Sequence, residues 1–570
     1  MMITVVLSSN MKRMLAGGVL VRRLVGIETA GSMNILFTDK TGTLTCGSLR
    51  VTEIVGADAA ADSYAALKKY VPLAHALVKN HAACLPHGRG NATDRALGAY
   101  FGKNIPPLSV VSRVPFDSAR RYTVGCVQEA DGIHSYIRGA PEVILAGCGQ
   151  YLGADGRVHP MDAQVRERIR REWERLAGSA HRVIAAAECM GDCTAEPGEF
   201  EDLLFIALIG IRDRIRPDAP SSVATARRAG IRTVMITGDN PLTAAAIARE
   251  CGILSEKDGD EVITGEKMAA MNDEALSELL PRLAVVARAL PTDKSRLVRL
   301  AQKRDLVVGM TGDGINDAPA LRAADVGFAM GSGTDAAKEA SSIVITDDRF
   351  SSVMQAVLFG RTVFRSIRKF IVFQLTMNLC AVGVSLIGPF IGVETPVTVM
   401  QMLWVNIIMD TLGALAFAGE PSLKRYMHVP PLSRSEKLLS RDMIGRILGM
   451  GCFSLALCLW FLKSPAMHRL FSRGDDVYYL TVFFALFIFC GIANCFLARA
   501  DGMNIFAHLG QNRAFIWIIA AVAVIQLMII YFGGELFRCE VLYGREILLA
   551  ALLACTVFPA ELIRRGMRRK

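Results

Sequence analysis

ILFTDKTGTLT, residues 35–45, is the stretch that decides the fold. Ile35, Leu36 and Phe37 form an apolar run of strand character, and Asp39 stands at its carboxyl end. In open α/β sheets, ligands bind at that end. A carboxylate placed there can attack phosphorus and form an acyl phosphate. Lys40, Thr41, Gly42 and Thr43 follow, supplying a charge, hydroxyls and close backbone approach for phosphate oxygens. A lone strand ending in aspartate is ordinarily structural, or a helix cap. Eleven residues in this order ask for more than that reading.

The rest of the chain sets the context. Its 570 residues are too many for one core, so several domains are expected. A content of 52% hydrophobic and 21% charged residues fits a soluble part joined to membrane helices. Up to about residue 365, apolar runs alternate with Gly, Asp and Pro, as in α/β folds. Beyond that lie six apolar stretches of bilayer length: roughly 370–391, 397–419, 443–462, 478–498, 515–532 and 546–563. The sixth is short and interrupted by Pro559 and Glu561. Arg365, Arg368 and Lys369 precede the first span, and Lys424, Arg425, Arg434, Lys437 and Arg441 follow the second. The opposite loops hold fewer basic residues, among them Lys463, Arg469, Arg473, Arg538 and Arg545. The richer side is cytoplasmic by the positive-inside rule, which puts the α/β part and the C-terminus there together.

The net charge of +10 collects beside apolar segments, as at Arg564-Arg565 and Arg568-Arg569-Lys570. That pattern argues for a membrane border and against nucleic acid. The 14 cysteines show no CxxC pair and no framework, and read as reduced, small apolar residues. Residues Met1 to Leu7 are too few to span a bilayer and read as the end of a helix whose beginning lies elsewhere.

DKTGTLT resembles the signature of P-type ATPases, whose phosphorylation domain has the haloacid-dehalogenase fold. The resemblance implies that Asp39 is the covalent nucleophile, with Lys40 and Thr41 beside it. MITGDN at 235–240 resembles the family's next segment and offers Thr237, Gly238 and Asp239 to the phosphoryl group. Lys294, in LPTDKSRLV, brings a point charge, and MTGDGINDAPAL at 310–321 brings Asp313, Asn316 and Asp317. By the same resemblance, Asp39, the Thr41 carbonyl and Asp313 bind Mg2+, which phosphoryl transfer needs and hard oxygens hold.

Between Thr45 and about Asp213 lies an insertion with no Walker-type loop, so ATP is expected to be held another way. GNATDRAL resembles the family's GxPTExAL, with Asp94 where Glu is more usual. VPFDSARRYTV resembles the adenine-pocket strand, which implies that Phe116 stacks on the base and that Arg120 and Arg121 face phosphates. RGAPE resembles KGAPE, with Arg138 and Gly139 in the matching places and Arg for the usual Lys. Arg182 matches a phosphate-contacting arginine, and Asp213 and Arg216, in IRDRIRP, match the hinge back to the phosphorylation domain and are expected with the ATP-binding residues.

Polar side chains in a bilayer core mark pathways. FQLTMN carries Gln374, Thr376 and Asn378, and WVNIIMDTLGALA carries Asn406, Asp410 and Thr411. Both segments resemble the plasma-membrane-type calcium pumps, down to an EPP-like turn that here reads GEPS, 419–422. The resemblance implies one Ca2+ site using Asn378 and Asp410. Asn494 stands where the family often has an acidic residue.

The reading is a multidomain α/β protein joined to an all-α membrane domain. A short stalk end (1–20) precedes a haloacid-dehalogenase-like phosphorylation domain in two parts (21–50 and 211–350). A nucleotide-binding domain (51–210) is inserted, and a stalk (351–369) leads to six transmembrane helices (370–570). The expected function is ATP-driven transport of a cation, most simply Ca2+, through an aspartyl phosphate. The expected setting is a plasma membrane with catalytic domains and C-terminus cytoplasmic, and the partners are the lipid bilayer, ATP, Mg2+ and Ca2+. The family's PEGLP motif and the TGES loop of its actuator domain are absent from these 570 residues. The sequence therefore reads as a fragment, with a separate chain as one source of the missing part. A transport-incompetent remnant or regulator that only binds ATP and is phosphorylated, and a pump for another cation such as Mn2+, stay open as alternatives.

Overall fold

The computed structural model describes residues 10–86, 90–102, 107–117, 120–179, 181–191, 200, 202–255, 258–434, 436, 438–471 and 476–568. The side chains of Met409, Asp410 and Arg568 also lie outside the described set. So do Met1 to Leu7, Lys437, Arg473 and the Arg569-Lys570 end, all singled out above.

Two sheets and a helical bundle make up the molecule. The first sheet has eight strands, in the order Val19–Val21, Ile343–Ile345, Val326–Met330, Val308–Gly312, Ile35–Asp39, Arg232–Ile236, Leu283–Ala287 and Glu261–Thr264. All pairings are parallel except that of Val19–Val21 with Ile343–Ile345. Such strands are covered on both faces, so they read as unbroken apolar runs like LAVVA and VGFAM. Strands from residues 232–287 lie on one side of Ile35–Asp39, and those from 308–345 on the other. The chain therefore switches direction at Ile35–Asp39, and a crevice opens beyond its carboxyl end.

The second sheet has nine strands and is mostly antiparallel. It hangs on a ribbon of two long strands, Thr45–Val55 and Leu203–Ile215, paired from Thr45 with Ile215 to Val55 with Leu208. One ribbon strand leaves directly after the Asp39 loop and the other returns directly before the Ala219–Arg228 helix.

The helix Phe350–Ile387 is continuous for 38 residues, about 57 Å, longer than any bilayer core. Its first part packs on the helix Val25–Gly31 beside the first sheet. A Cβ on Gly360 would come within 2.5 Å of the Gly31 nitrogen, so glycine is required for this close crossing. Arg361, buried one residue on, donates to four carbonyls: Gly31 (3.2 Å), Ala229 (2.8 Å), Tyr426 (2.8 Å) and Val429 (2.6 Å). The first two lie beside the first sheet and the other two in the loop after the second span. One guanidinium thus ties head, stalk and membrane loop together. Arg434 adds an ion pair from that loop to Asp325.

Six helices are long and apolar enough to cross a membrane: Phe350–Ile391, Val399–Ala418, Arg441–Lys463, Asp476–Arg499, Arg513–Phe532 and Gly544–Met567. The chain is an integral membrane protein. Leu386, Trp517, Phe532 and Leu552 are exposed on these helices, as chains facing lipid would be. Glu561, the feature that weakened the sixth span in sequence, is fully buried and ion-paired with Arg446 (3.2 Å), Arg564 (2.6 Å) and Arg565 (2.8 Å). Its charge is compensated on several sides, as a buried carboxylate requires. The second span is not a uniform helix: Ile408–Gly413 opens into a wide π turn between two α-helical segments.

The Gly360 crossing gives a stability test. Gly360→Ala must push Ile27 and Gly31 away, and is expected to cost about 1–3 kcal/mol. Thermal unfolding of the detergent-solubilised chain measures it. An unchanged melting temperature would show that the two helices do not need this contact.

Candidate active site

Three neighbouring strands deliver the catalytic loops. Ile35–Asp39 ends in Asp39, Arg232–Ile236 leads into Thr237, Gly238 and Asp239, and Val308–Gly312 leads into Asp313. Thr311 and Thr38 hydroxyls bond across two of these strands at 2.8 Å, fixing their ends. Backbone bonds from Arg288 and Ala289 to Asp239 and Thr237 tie the second loop to the segment leading into the helix Pro291–Lys303. That helix carries Lys294.

Lys294 is the centre of the arrangement. The residue is 7% exposed, and its ammonium lies 2.6 Å from Asp39 Oδ1 and 2.6 Å from Asp317 Oδ1. Asp317 is itself held by the backbone N–H groups of Asp313 (3.2 Å) and Gly314 (3.1 Å). Carboxylate oxygens of Asp39, Asp313 and Asp317 lie within 4.8 Å of one another. Gly42 adopts φ +68°, and a Cβ there would run into the Asp313 carboxylate, so the glycine lets the loop close over the acids. Lys40 pairs with Asp239 at 2.8 Å. Gly238 would meet nothing with a Cβ, which leaves open space beside Thr237. Asn316 is exposed at the rim.

Electrostatics follow from crowding. Burial raises Asp39 to about 6; the Lys294 charge opposes this, and Asp317 adds to it. Burial, then Asp317, also raises Asp313. Burial alone would lower Lys294, but Asp39 and Asp317 outweigh it and hold the ammonium above its usual range. The site is a concentrated all-oxygen donor set with two buried lysines, Lys294 among the acids and Lys40 on Asp239. Such a set fits a hard divalent ion such as Mg2+.

Asp213 and Arg216, expected at the nucleotide, bond the loop after Asp39. Arg216 donates to the Gly42 carbonyl at 2.8 Å, and Asp213 accepts from the Thr45 hydroxyl (2.5 Å) and the Ser48 N–H (3.1 Å). They brace the loop after Asp39 from the ribbon.

The remaining candidates gather on the second sheet. Phe116 is 54% exposed and free to offer a ring face. Arg120 pairs with Asp117 (3.5 Å) and Arg121 with Glu142 (2.8 Å), both at the surface. Ser118 and Ala119, between them, lie outside the described residues. Gly139 packs so closely on Arg121 and Tyr122 that a Cβ would meet the Arg121 oxygen at 2.6 Å. Arg182 is exposed, 3.5 Å from the Thr93 hydroxyl. Asp94 and Arg138 differ from these: they are 4% and 5% exposed and bond each other at 2.5 Å. Asp94 also closes a capping box with Asn91. Arg138 has a second neighbour that sequence reasoning missed, the His81 Nδ1 at 3.3 Å. His81 sits on an ordinary amphipathic helix, Val71–Cys84, and nothing in its local sequence marks it.

In the membrane part, Thr376 donates to its own helix at Val372 (2.7 Å), as a merely satisfied side chain would. Asn378 is partly buried on the first span. The side chain of Asp410 lies outside the described residues, but its backbone lies within the π turn. Asn494 is buried and donates to the Ser454 hydroxyl and the Cys490 carbonyl, each at 3.1 Å. Glu420, seen in the sequence only as part of a turn, pairs with Lys369 (2.8 Å) and Arg499 (3.4 Å) where the spans meet the stalk.

Comparison with known proteins bears on both halves. Residues 33–325 match the family model of haloacid dehalogenase-like hydrolases, and residues 394–567 match that of the cation-transporting ATPase C-terminus. The chain is 35% identical to calcium-transporting ATPase 8, plasma membrane-type, of Arabidopsis thaliana, over 98% of its own length and 56% of the relative's. It is 35% identical to calcium-transporting ATPase 7, plasma membrane-type, of Oryza sativa subsp. japonica, over 93% and 54%. It is 33% identical to calcium-transporting ATPase 1 of Yarrowia lipolytica, over 98% and 64%. The chain thus spans a little over half the length of these relatives.

The buried histidine makes a pH prediction. Burial, with the Arg138 charge adding to it, pushes His81 down to about 4. The folded value lies below the unfolded one of about 6.5, so the neutral ring favours folding above that pH. This contribution, about 3 kcal/mol, is lost as pH falls toward 4. Melting temperatures measured from pH 7 to pH 4.5 are expected to fall more steeply for the unsubstituted chain than for His81→Gln. Parallel curves would refute it.

Proposed function

The chain belongs to the haloacid dehalogenase-like hydrolases, and we propose that, as a P-type cation-transporting ATPase, it transfers the γ-phosphoryl group of ATP to Asp39 and couples that step to the movement of Ca2+ across a membrane. The observation that carries the reading is Lys294, held between Asp39 and Asp317, with Asp313 beside them. An Asp39 oxygen attacks the γ-phosphorus. The new O–P bond forms as the bond to the β-phosphate oxygen breaks, and ADP leaves with that electron pair. At neutral pH most of Asp39, near 6, is the carboxylate the attack needs. Lys294 keeps it aligned and offsets the charge gathered at the acids. Thr237 and the open backbone at Gly238 receive the equatorial oxygens, while the Lys40–Asp239 pair holds the two loops together. Asp39, the Thr41 carbonyl and Asp313 are the residues to hold Mg2+, whose charge would neutralise the transferring group when bound.

The domain roles follow from the same reading. Residues 51–210 bind the nucleotide, with Phe116 against the base and Arg120, Arg121 and Arg182 toward phosphates. Residues 21–50 and 211–350 form the phosphorylation domain, and residues 351–369 its stalk. In the membrane domain, 370–570, Asn378 and Asp410 bind the cation. The π turn at Ile408–Gly413 supports this, because widened turns leave backbone carbonyls free of the regular helical ladder. The membrane is a plasma membrane with the catalytic domains and C-terminus on the cytoplasmic side, as the basic loops favour.

Two measurements test the reading. Purified chain incubated with labelled ATP and Mg2+ is expected to acquire a hydroxylamine-sensitive label, reduced to background in Asp39→Asn. A label that survives this substitution, or none in the unsubstituted chain, would remove Asp39 from the chemistry. For the cation, Asn378→Ala and Asp410→Ala are each expected to raise the Ca2+ concentration at half-maximal labelling by about tenfold or more, as loss of one oxygen ligand does. An unchanged Ca2+ dependence in both would refute the membrane assignment.

A further inference from the structure

The second sheet contains a group whose burial sets it apart from the other nucleotide candidates. Arg138 and Asp94 are 5% and 4% exposed, whereas Phe116, Arg120, Arg121 and Arg182 are surface residues. The Arg138 fork is already engaged: Nη2 meets Asp94 Oδ1 at 2.5 Å and Nη1 meets His81 Nδ1 at 3.3 Å. Each member comes from a different element. His81 lies on the helix Val71–Cys84, Arg138 on the strand Gly132–Gly139, and Asp94 in the first turn of the helix Ala92–Phe101. The strand is central, with Arg138 opposite Thr123 on one side and Ala186 on the other.

We propose that Arg138 is a positioning residue rather than a phosphate ligand: with Asp94 and His81 it forms a buried brace that sets Thr93 and Arg182 for the nucleotide. The inference rests on the reading that ATP binds on this sheet. Asp94 fixes the start of its helix twice, through its own oxygens on the Asn91 N–H and through the bond to Arg138. Thr93 precedes it directly and is the neighbour of Arg182 at 3.5 Å. Moving Asp94 therefore moves the hydroxyl that Arg182 leans on.

Asp94 and Arg138, which both depart from the usual pattern of their motifs, are partners in one bond. Asp is a methylene shorter than Glu, and Arg reaches further than Lys. Together the two exchanges keep the span of the pair. One without the other does not. Glu against Arg overfills a buried space. Asp against Lys leaves a gap between two buried charges. The pair is therefore matched as a unit, and each partner's size is set by the other.

A reciprocal exchange in the full-length, detergent-purified chain tests this. Asp94→Glu and Arg138→Lys alone are each expected to weaken binding of a fluorescent ATP analogue at least ~fivefold, within the range of coupling between touching residues. The double exchange is expected to return affinity to within ~threefold of the unsubstituted chain. The ATP concentration at half-maximal Asp39 labelling is expected to rise in each single exchange and to return in the double exchange, in step with the affinity. Thermal unfolding of all three variants reports whether either single exchange prevents folding; rescue of both folding and affinity by the double exchange still supports the brace. Additive losses in the double exchange, or single exchanges without effect, would overturn the inference alone. No nucleotide binding by the unsubstituted chain would overturn the reading it rests on, and the inference with it.

Discussion

One ammonium group between two carboxylates organises the catalytic end of the molecule. Lys294 offers a single positive charge to Asp39 and Asp317 in a largely buried place, and neither acid has another cation at comparable range among the described residues. Coulomb attraction strengthens as the local dielectric falls, so the geometry that buries the lysine also makes it effective. The cost of bringing three acids together is met in part by this charge and in part by the backbone N–H groups on Asp317. The rest of the sheet exists to hold these groups: three adjacent parallel strands end at one level, and the helix bearing Lys294 is capped and tied to the loop of Thr237.

Around that centre, the rest of the structure is held by narrow attachments. The second sheet joins the first through the two strands of its ribbon, and Asp213 and Arg216 brace the ribbon's base against the Asp39 loop. A change in the ribbon is therefore felt at the loop that carries Asp39. On the other side, Arg361 gathers carbonyls from three segments. Because it bonds to backbone rather than to side chains, its grip depends on the course of the chain and not on which residues the loops carry.

Much of this was legible in the residues. The apolar run ending at Asp39, the order of DKTGTLT, TGDN and TGDGIND, and six apolar stretches all report local features that a sequence states directly. What escaped has a common cause. His81 looks like any residue of an amphipathic helix, and only the third dimension sets it against Arg138. Glu561 counted against the sixth span because a one-dimensional hydropathy reading cannot see Arg446 approaching from another helix. The π turn within the second span leaves no composition signal, since the same residues could close a regular helix. The motif of Asp213 and Arg216 states their place at the hinge but not the groups they bond, the Ser48 N–H and the Gly42 carbonyl, which are distant in sequence.

The long helix from Phe350 to Ile387 contains no proline, and its two glycines, Gly360 and Gly383, are both packed against neighbours. It has no internal joint at which motion could be absorbed. From Gly360 to Asn378 is about 27 Å of uninterrupted hydrogen-bonded rod. Such an element behaves as a pushrod: a tilt or turn imposed where it crosses Gly31 arrives in the bilayer with its amplitude preserved, and a load applied in the bilayer returns along the same shaft.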